Sequence, residues 1–326
     1  MTMLLGAREL EDLLPAGDCL RGLEAGFVHG PAPEPAPQRV RQELPAPGNA
    51  MVLIAGLLPG VPAYTVKVNA KFPGSNPAIR GVICLHDLRD GRLLSLLDSS
   101  FVTAWRTGLS AALGTQRLAP GSTPLTLGVI GAGTQAGLTV RGLAALRPIR
   151  RIVVHDVEPG RAHRAAEVWR RAGIDCEQAG SAAEVAARSD TLVTATWPRR
   201  PLLDVGDIRE GTHITSLGAD EPGKLELTPE LMQRARVFVD DIDLAMTSGA
   251  LGSAGLAPDE AAGTLTGVLT GAVPAREHDA DITVYCPVGL PWQDLALAWH
   301  AYRLAERKRT GVRFQFHSTQ EEDEAP

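Results

Sequence analysis

The spacing of apolar positions changes character along this chain, and each change marks a different kind of element. Between residues 8 and 28 the side chains of Leu10, Leu13, Leu14, Leu20, Leu23 and Phe27 fall partly at helical spacing. This predicts helix that ends near Gly30, where Pro31, Pro33, Pro35 and Pro37 break the pattern. From about residue 39 to 98 the pattern shortens to β-type runs over 50–54, 63–68, 81–85 and 93–97, separated by glycine, proline and Asp-Gly turns. Residues 102–118 are helical again, and Pro120, Gly121 and Pro124 form a hinge. Beyond it strands over 125–130, 151–155, 191–196, 212–217 and 236–239 alternate with helices over 134–146, 159–172, 181–188 and 229–235. Such alternation predicts a parallel sheet wrapped by helices. A glycine-rich stretch follows residue 250, then an apolar run at 282–285 and a helix over 292–308. That last helix carries Leu295, Ala298, Trp299, Tyr302 and Leu304 on its apolar face. The acidic end at 321–324 reads as a solvated tail.

The most informative segment is LTLGVIGAGTQAGLTVRGLAAL at 125–146. Its glycines stand where a strand hands over to a helix. Gly131 permits the tight turn, Gly133 lets a pyrophosphate approach bare backbone, and small Ala136 lets helix and strand pack closely, with the helix N-terminus aimed at the phosphates. A glycine fingerprint by itself is weak evidence. The next strand-like run, however, ends in Asp156, 23 residues after Gly133, about where a ribose-binding acid is expected. Asp156 would accept hydrogen bonds from a ribose diol and repel a 2′-phosphate, so NAD(H) is favoured, while Arg161 and Arg164 keep NADP(H) open. The expected cofactor-binding set is Thr107, Gly131, Gly133, Thr134, Gln135, Ala136, Asp156, Thr194 and Thr196. The fold class that follows is α/β, with a Rossmann-type doubly wound parallel sheet.

Composition narrows the function classes. The 326 residues suit two domains, or one split by an insertion. With 44% hydrophobic residues, 21% charged residues and a net charge of −6, the chain is neither disordered nor a basic nucleic-acid binder. Cys19, Cys84, Cys176 and Cys286 are scattered, without a CxxC or a histidine at zinc spacing, so buried thiols in a reducing compartment are expected rather than a metal site. No apolar run approaches a membrane span, and acids near the N-terminus do not fit a signal peptide. A cytoplasmic location is expected.

Three further clusters carry candidate chemistry. Lys67 lies inside an apolar strand-like run, where it is either working or a solvent-facing lysine on a half-buried strand. Arg106 sits on the first turns of a predicted helix; its rigid fork of donors suits a carboxylate, and a surface ion pair is the plainer reading. Asp220 follows the predicted strand 212–217. The carboxyl ends of parallel strands are where ligands bind in such sheets, so it is an active-site acid or a turn residue before Pro222.

With these clusters in order, the chain resembles the ornithine cyclodeaminase/mu-crystallin family, which also contains archaeal-type alanine dehydrogenases and cyclic-ketimine reductases. The residues that carry the resemblance are KVNAKFPG at 67–74, LLDSSFVTAWRT at 96–107, GVIGAGTQA at 128–136, ITSLGADEPGKLEL at 214–227, VFVDD at 237–241 and GLPWQD at 289–294. The resemblance implies that the nucleotide domain is inserted into a smaller α+β substrate and dimerisation domain. The expected boundaries are 1–120 for the first part, 121–290 for the NAD-binding domain and 291–326 for the returning helix and tail. It also implies a homodimer, a carboxylate clamp of Arg39, Lys67 and Arg106 around a small amino or imino acid, and Asp220 as the acid used in catalysis. Arg41 lies two residues beyond Arg39 and would point to the same side of a strand. Neighbouring cations are expected to depress the pKa of Lys67 and so help it exchange a proton.

The implied chemistries share an imine reached by hydride transfer and differ in its fate. A cyclodeaminase must hold a side-chain amine, and those acting on ornithine typically carry a glutamate shortly before the lysine motif. Here no Asp or Glu occurs between Glu43 and Asp87, and 51–58 is apolar. An apolar lining does not stabilise an ammonium. An amino-acid dehydrogenase or imine reductase is therefore favoured over an ornithine cyclodeaminase. A crystallin-like binding role is the remaining alternative, against which Lys67, Arg106 and Asp220 together speak. Trp105, Trp292 and the Cys286-Pro287 pair are departures that leave the substrate open; Trp292 lines a pocket or packs in the core.

Overall fold

The computed structural model describes residues 1–30, 39–46, 48–72, 75, 77–121, 124–198, 200–219 and 221–316. The proline-rich stretch at 31–38, part of the hinge, Asp220 and the acidic tail lie outside them. In chain order the elements begin with β1 (Thr2–Leu5), α1 (Ala7–Leu13) and α2 (Ala16–His29), and continue with the strands β2 (Arg39–Glu43), β3 (Ala50–Gly56), β4 (Ala63–Lys71), β5 (Ile79–Asp87) and β6 (Leu93–Asp98). Helix α3 (Ser99–Leu118) leads into β7 (Leu125–Ile130), α4 (Thr134–Ala144), β8 (Ile149–His155), α5 (Pro159–Arg171), β9 (Asp175–Gln178), α6 (Ala182–Ala187), β10 (Thr191–Thr194) and β11 (His213–Ser216). Then come α7 (Pro229–Arg234), β12 (Arg236–Val239), α8 (Ile242–Ser248), α9 (Ala250–Ala254), β13 (Ala261–Thr264), α10 (Leu265–Leu269), β14 (Thr283–Tyr285), α11 (Pro291–Lys308) and β15 (Val312–Phe314). No described helix is long and apolar enough to cross a membrane.

These elements form two compact units. The first, residues 1–15, 37–103 and 291–326, holds a sheet in the order β15-β1-β6-β5-β4-β3-β2. The strands from β2 to β6 make an antiparallel meander, β1 joins β6 in parallel, and β15 closes the edge antiparallel to β1. Along β4 burial alternates, with Ala63, Thr65 and Lys67 buried and the residues between them partly exposed. Period-2 burial of this kind marks one covered face. The cover is α11, and Gly56 marks how closely it lies: a Cβ there would come within 2.7 Å of the Pro291 carbonyl oxygen.

The second unit, residues 16–36 and 104–290, holds an all-parallel sheet in the order β13-β12-β14-β11-β10-β7-β8-β9. The order reverses at β7, with β8 on one side and β10 on the other. That reversal is the switch point where doubly wound sheets bind their ligands. Leu127, Val129, Val140, Leu143, Ile152, Val154 and Val193 pack into one core against Ala136.

The division differs from the expected boundary at 120, because α2 and most of α3 belong with the parallel sheet. The reason is close packing through residues without bulk. A Cβ on Gly108 would lie 2.5 Å from Leu138, one on Gly142 2.8 Å from Ala112, and one on Gly114 2.3 Å from the Tyr285 ring. Trp105 is buried there beneath the guanidinium of Arg141, 4.7 Å from its ring centre, so it serves the core. A buried polar chain adds direction to the same contact. Thr115 donates to the Ala111 carbonyl, at 2.7 Å, and therefore accepts from Thr215, also at 2.7 Å. Thr215 in turn lies 2.9 Å from His213 Nε2, and His213 Nδ1 lies 2.9 Å from the Thr283 hydroxyl, which donates to the Leu118 carbonyl at 3.2 Å. Burial, with Arg276 nearby, pushes the imidazole pKa down to about 3, so His213 stays neutral.

The predicted strands and helices recur with small shifts in their ends. The helix expected over 8–28 is divided at Pro15, and the strands β1, β2, β9, β13 and β15 went unpredicted. These are short, and most carry little apolar alternation. Among the described residues the four cysteines are unbridged. Burial raises Cys19 to about 12 and Cys176 to about 11.

Candidate active site

In the first unit, strand register assembles the basic residues. Arg39 pairs with Ile54, Ile54 with Lys67, and Lys67 with Ile83. Directly paired residues point to the same face of a sheet. Arg39 and Lys67 therefore lie in one row, two strands apart. Arg41 shares that face but is drawn into an exposed ion pair with Glu43. Of the two candidates Arg39 is thus the one in the row of Lys67.

Lys67 is not the solvent-facing lysine that an amphipathic strand would allow. It is 1% exposed, and its Nζ lies 2.5 Å from Asp294 Oδ2 on the first turn of α11. Thr103 Oγ1 accepts a second, longer contact from the ammonium at 3.4 Å. Asn69 braces the same corner, donating to Thr103 at 3.3 Å and accepting from Ser99 at 2.5 Å. The neighbour in contact with Lys67 is thus a carboxylate, where the sequence led to the expectation of cations. Asp294 escaped prediction as a functional residue. Its signal was present in the GLPWQD motif, but nothing in the sequence pairs position 294 with position 67. Trp292 is buried on the same helix.

Helix α3 begins with Asp98 as its cap, the carboxylate accepting from the backbone N–H groups of Ser100 and Phe101 at 2.8 and 3.1 Å. Arg106 lies one turn beyond Thr103 on this continuous helix. It is 6% exposed, and its guanidinium occupies the space that a side chain at residue 289 would need. A Cβ on Gly289 would lie 1.9 Å from Arg106 Nη1, and Gly289 has φ +93°. That turn is held by buried Asp240, whose carboxylate accepts from the N–H groups of Val288, at 3.1 Å, and Gly289, at 2.5 Å. The VFVDD and GLPWQD motifs are in this way two halves of one support for Arg106. Thr107, half-buried, follows on the same helix.

In the second unit the glycine turn has the expected construction. Gly131 has φ +88°, and a Cβ there would meet the Ala195 carbonyl oxygen at 2.5 Å, so both backbone conformation and space demand glycine. Gly133 caps α4 without a side-chain cap, and the space where its Cβ would stand is open. Gly133 and Thr134 are exposed, Gln135 is half-buried, and Ala136 is fully buried against β7 and β8. Asp156, just after β8, accepts from the Ala132 N–H at 2.8 Å and from the Glu158 N–H at 2.8 Å. The acid and the turn are thus fixed to one another. A bare helix N-terminus above open space, with a carboxylate beside it, fits a dinucleotide.

Thr194 and Thr196 behave differently from the rest of the expected cofactor set. Thr194 is fully buried, and its hydroxyl donates to Glu226 at 2.6 Å; the Thr196 hydroxyl donates to the same carboxylate at 2.7 Å. Both face a buried acid of the protein. Asp220, the expected catalytic acid, lies outside the described residues.

Residues 2–309 match the sequence profile of the ornithine cyclodeaminase/mu-crystallin family, and the chain belongs to that family. It is 28% identical to the alanine dehydrogenase of Archaeoglobus fulgidus over 97% of this chain and 98% of that protein. The Δ1-pyrroline-2-carboxylate reductase of Thermococcus litoralis, solved in complex with NADH and L-proline, superposes with a TM-score of 0.88 at 26% identity, covering 96% of this chain and 100% of that one. An archaeal alanine dehydrogenase dimer with bound NAD gives the same TM-score at 27% identity, over 97% and 99% of the two chains.

Proposed function

We propose that the chain is an NAD(H)-dependent oxidoreductase acting on the Cα–N bond of a small amino or imino acid, as an amino-acid dehydrogenase or a cyclic imine reductase. The observation that carries this reading is the surroundings of Lys67 on its sheet. Its partners in the neighbouring strands are Ile54 and Ile83, and the residues of β3 on that face are Ala50, Val52, Ile54 and Gly56. None carries an acid to receive a substrate's second ammonium, and Asp294 is already engaged by Lys67. An uncompensated ammonium against such a surface is unfavourable. This supports an oxidoreductase over an ornithine cyclodeaminase.

Gly131, Gly133, Thr134, Gln135, Ala136 and Asp156 would hold the dinucleotide, which when bound supplies or accepts the hydride. Asp156 favours NAD(H) over NADP(H) by charge. Arg39, Lys67 and Arg106 would hold the substrate α-carboxylate and so orient Cα, an arrangement in which positioning supplies much of the rate. Asp220 would move the proton at the substrate nitrogen or activate water for imine hydrolysis. We further infer a homodimer, the state of the archaeal alanine dehydrogenase relative; light scattering in solution tests it.

The direct test follows NADH absorbance with purified protein and a panel of pyruvate plus ammonia, Δ1-pyrroline-2-carboxylate, and ornithine with NAD. Consumption of NADH with either of the first two is expected. Ammonia release from ornithine, with neither of the others consuming NADH, would instead establish the cyclodeaminase.

A further inference from the structure

Glu226 is a fully buried carboxylate that accepts five hydrogen bonds. Its Oε2 takes those of the Thr194 hydroxyl, the Ser216 hydroxyl and the Gly218 N–H, at 2.6, 2.8 and 2.7 Å; its Oε1 takes the N–H and hydroxyl of Thr196, at 2.8 and 2.7 Å. Two backbone N–H groups and three hydroxyls converging on two oxygens form a donor set made for a carboxylate. Gly218 is shaped to it, because a Cβ there would lie 2.5 Å from Glu226 Cδ. The bonds come from the carboxyl ends of β10 and β11 and from the turns that follow them, so one side chain ties two neighbouring strand ends together.

The sheet order gives this tie a place in the molecule. Asp156 follows β8, on one side of β7, whereas β10 and β11 lie on the other. A dinucleotide spanning the switch point, with its adenosine ribose at Asp156, would extend its nicotinamide half over β10 and β11. We propose that Glu226 is a positioning residue for the nicotinamide half of the dinucleotide: it fixes the ends of β10 and β11, on which that half rests, while the adenosine half is held independently by the glycine turn and Asp156. This rests on the dinucleotide reading above. It also assigns the hydroxyls of Thr194 and Thr196 to the support of the site.

The test compares two ligands on Glu226→Gln. The amide keeps the shape but turns an N–H2 group toward donors, which removes charge-assisted bonds. Titration calorimetry is expected to find NADH affinity lowered about 10-fold or more and ADP-ribose affinity within about 2-fold of the parent. Equal weakening of both ligands, or of neither, would overturn the proposal. Should this variant fail to fold, Ser216→Ala removes a single donor and is expected to give the same ordering with a smaller loss for NADH, of about 3-fold. The same two outcomes overturn the proposal there. A parent protein that binds neither ligand would overturn the dinucleotide reading itself, and is thereby distinguished from a failure of Glu226 alone.

Discussion

The ammonium of Lys67 and the carboxylate of Asp294, separated by 227 positions in the chain, form a buried ion pair with a 2.5 Å contact. Replacing Asp294 with Asn keeps the volume and removes the charge. Leaving one member of a buried pair without its counter-charge costs about 3–5 kcal/mol, so the melting temperature is expected to fall. If the pair also orients Lys67 toward the substrate, KM for the carboxylate substrate rises as well. An unchanged KM with a lowered melting temperature would assign the pair to stability alone.

Gly289→Ala tests the support of Arg106. The substitution puts a methyl where the guanidinium lies and strains a backbone at φ +93°. The expected result is a rise in KM for the carboxylate substrate of about 10-fold or more, the loss of a charged hydrogen-bonding partner. ADP-ribose affinity is expected to stay unchanged, as measured by calorimetry.

Asp156→Ser tests cofactor choice. It removes the charge that disfavours a 2′-phosphate, so the ratio of KM for NADPH to KM for NADH should fall. The same carboxylate holds the N–H of Ala132, and NADH binding is expected to weaken as well. A ratio that stays constant would locate the discrimination elsewhere.

His213 predicts a pH dependence of stability. Its pKa is lowered to about 3 in the folded protein, from the ordinary imidazole value of 6.5, so between those limits the unfolded chain binds more protons. Stability is therefore fully present above about pH 6.5 and declines as the pH falls toward 3, by up to about 1.4 kcal/mol per unit. Denaturant titrations across this window check it. His213→Gln should be less stable at neutral pH and show a shallower decline.

Much of this architecture was legible in the residues. The helix–strand alternation after residue 125 and the glycine turn identified the parallel sheet, because period and turn chemistry are local properties. The row of Arg39 and Lys67 needed strand register, which depends on pairings tens of residues apart. Asp294, Asp240 and Glu226 were hidden for the same reason: each acts through partners remote in sequence, and a carboxylate in a string of letters does not reveal that it is buried. A boundary near residue 120 follows from conspicuous hinge residues, whereas the close packing at Gly108, Gly114 and Gly142 that joins α3 to the parallel sheet leaves no periodic trace.

The pairing of Ile54 with Lys67 has a consequence for how chemistry diverges on this scaffold. Ile54 stands beside Lys67 on a face of β3 that carries no acid. Ile54→Glu would place one there, and ammonia release from ornithine would show that a single side chain opens the way from reducing an imine to closing a ring.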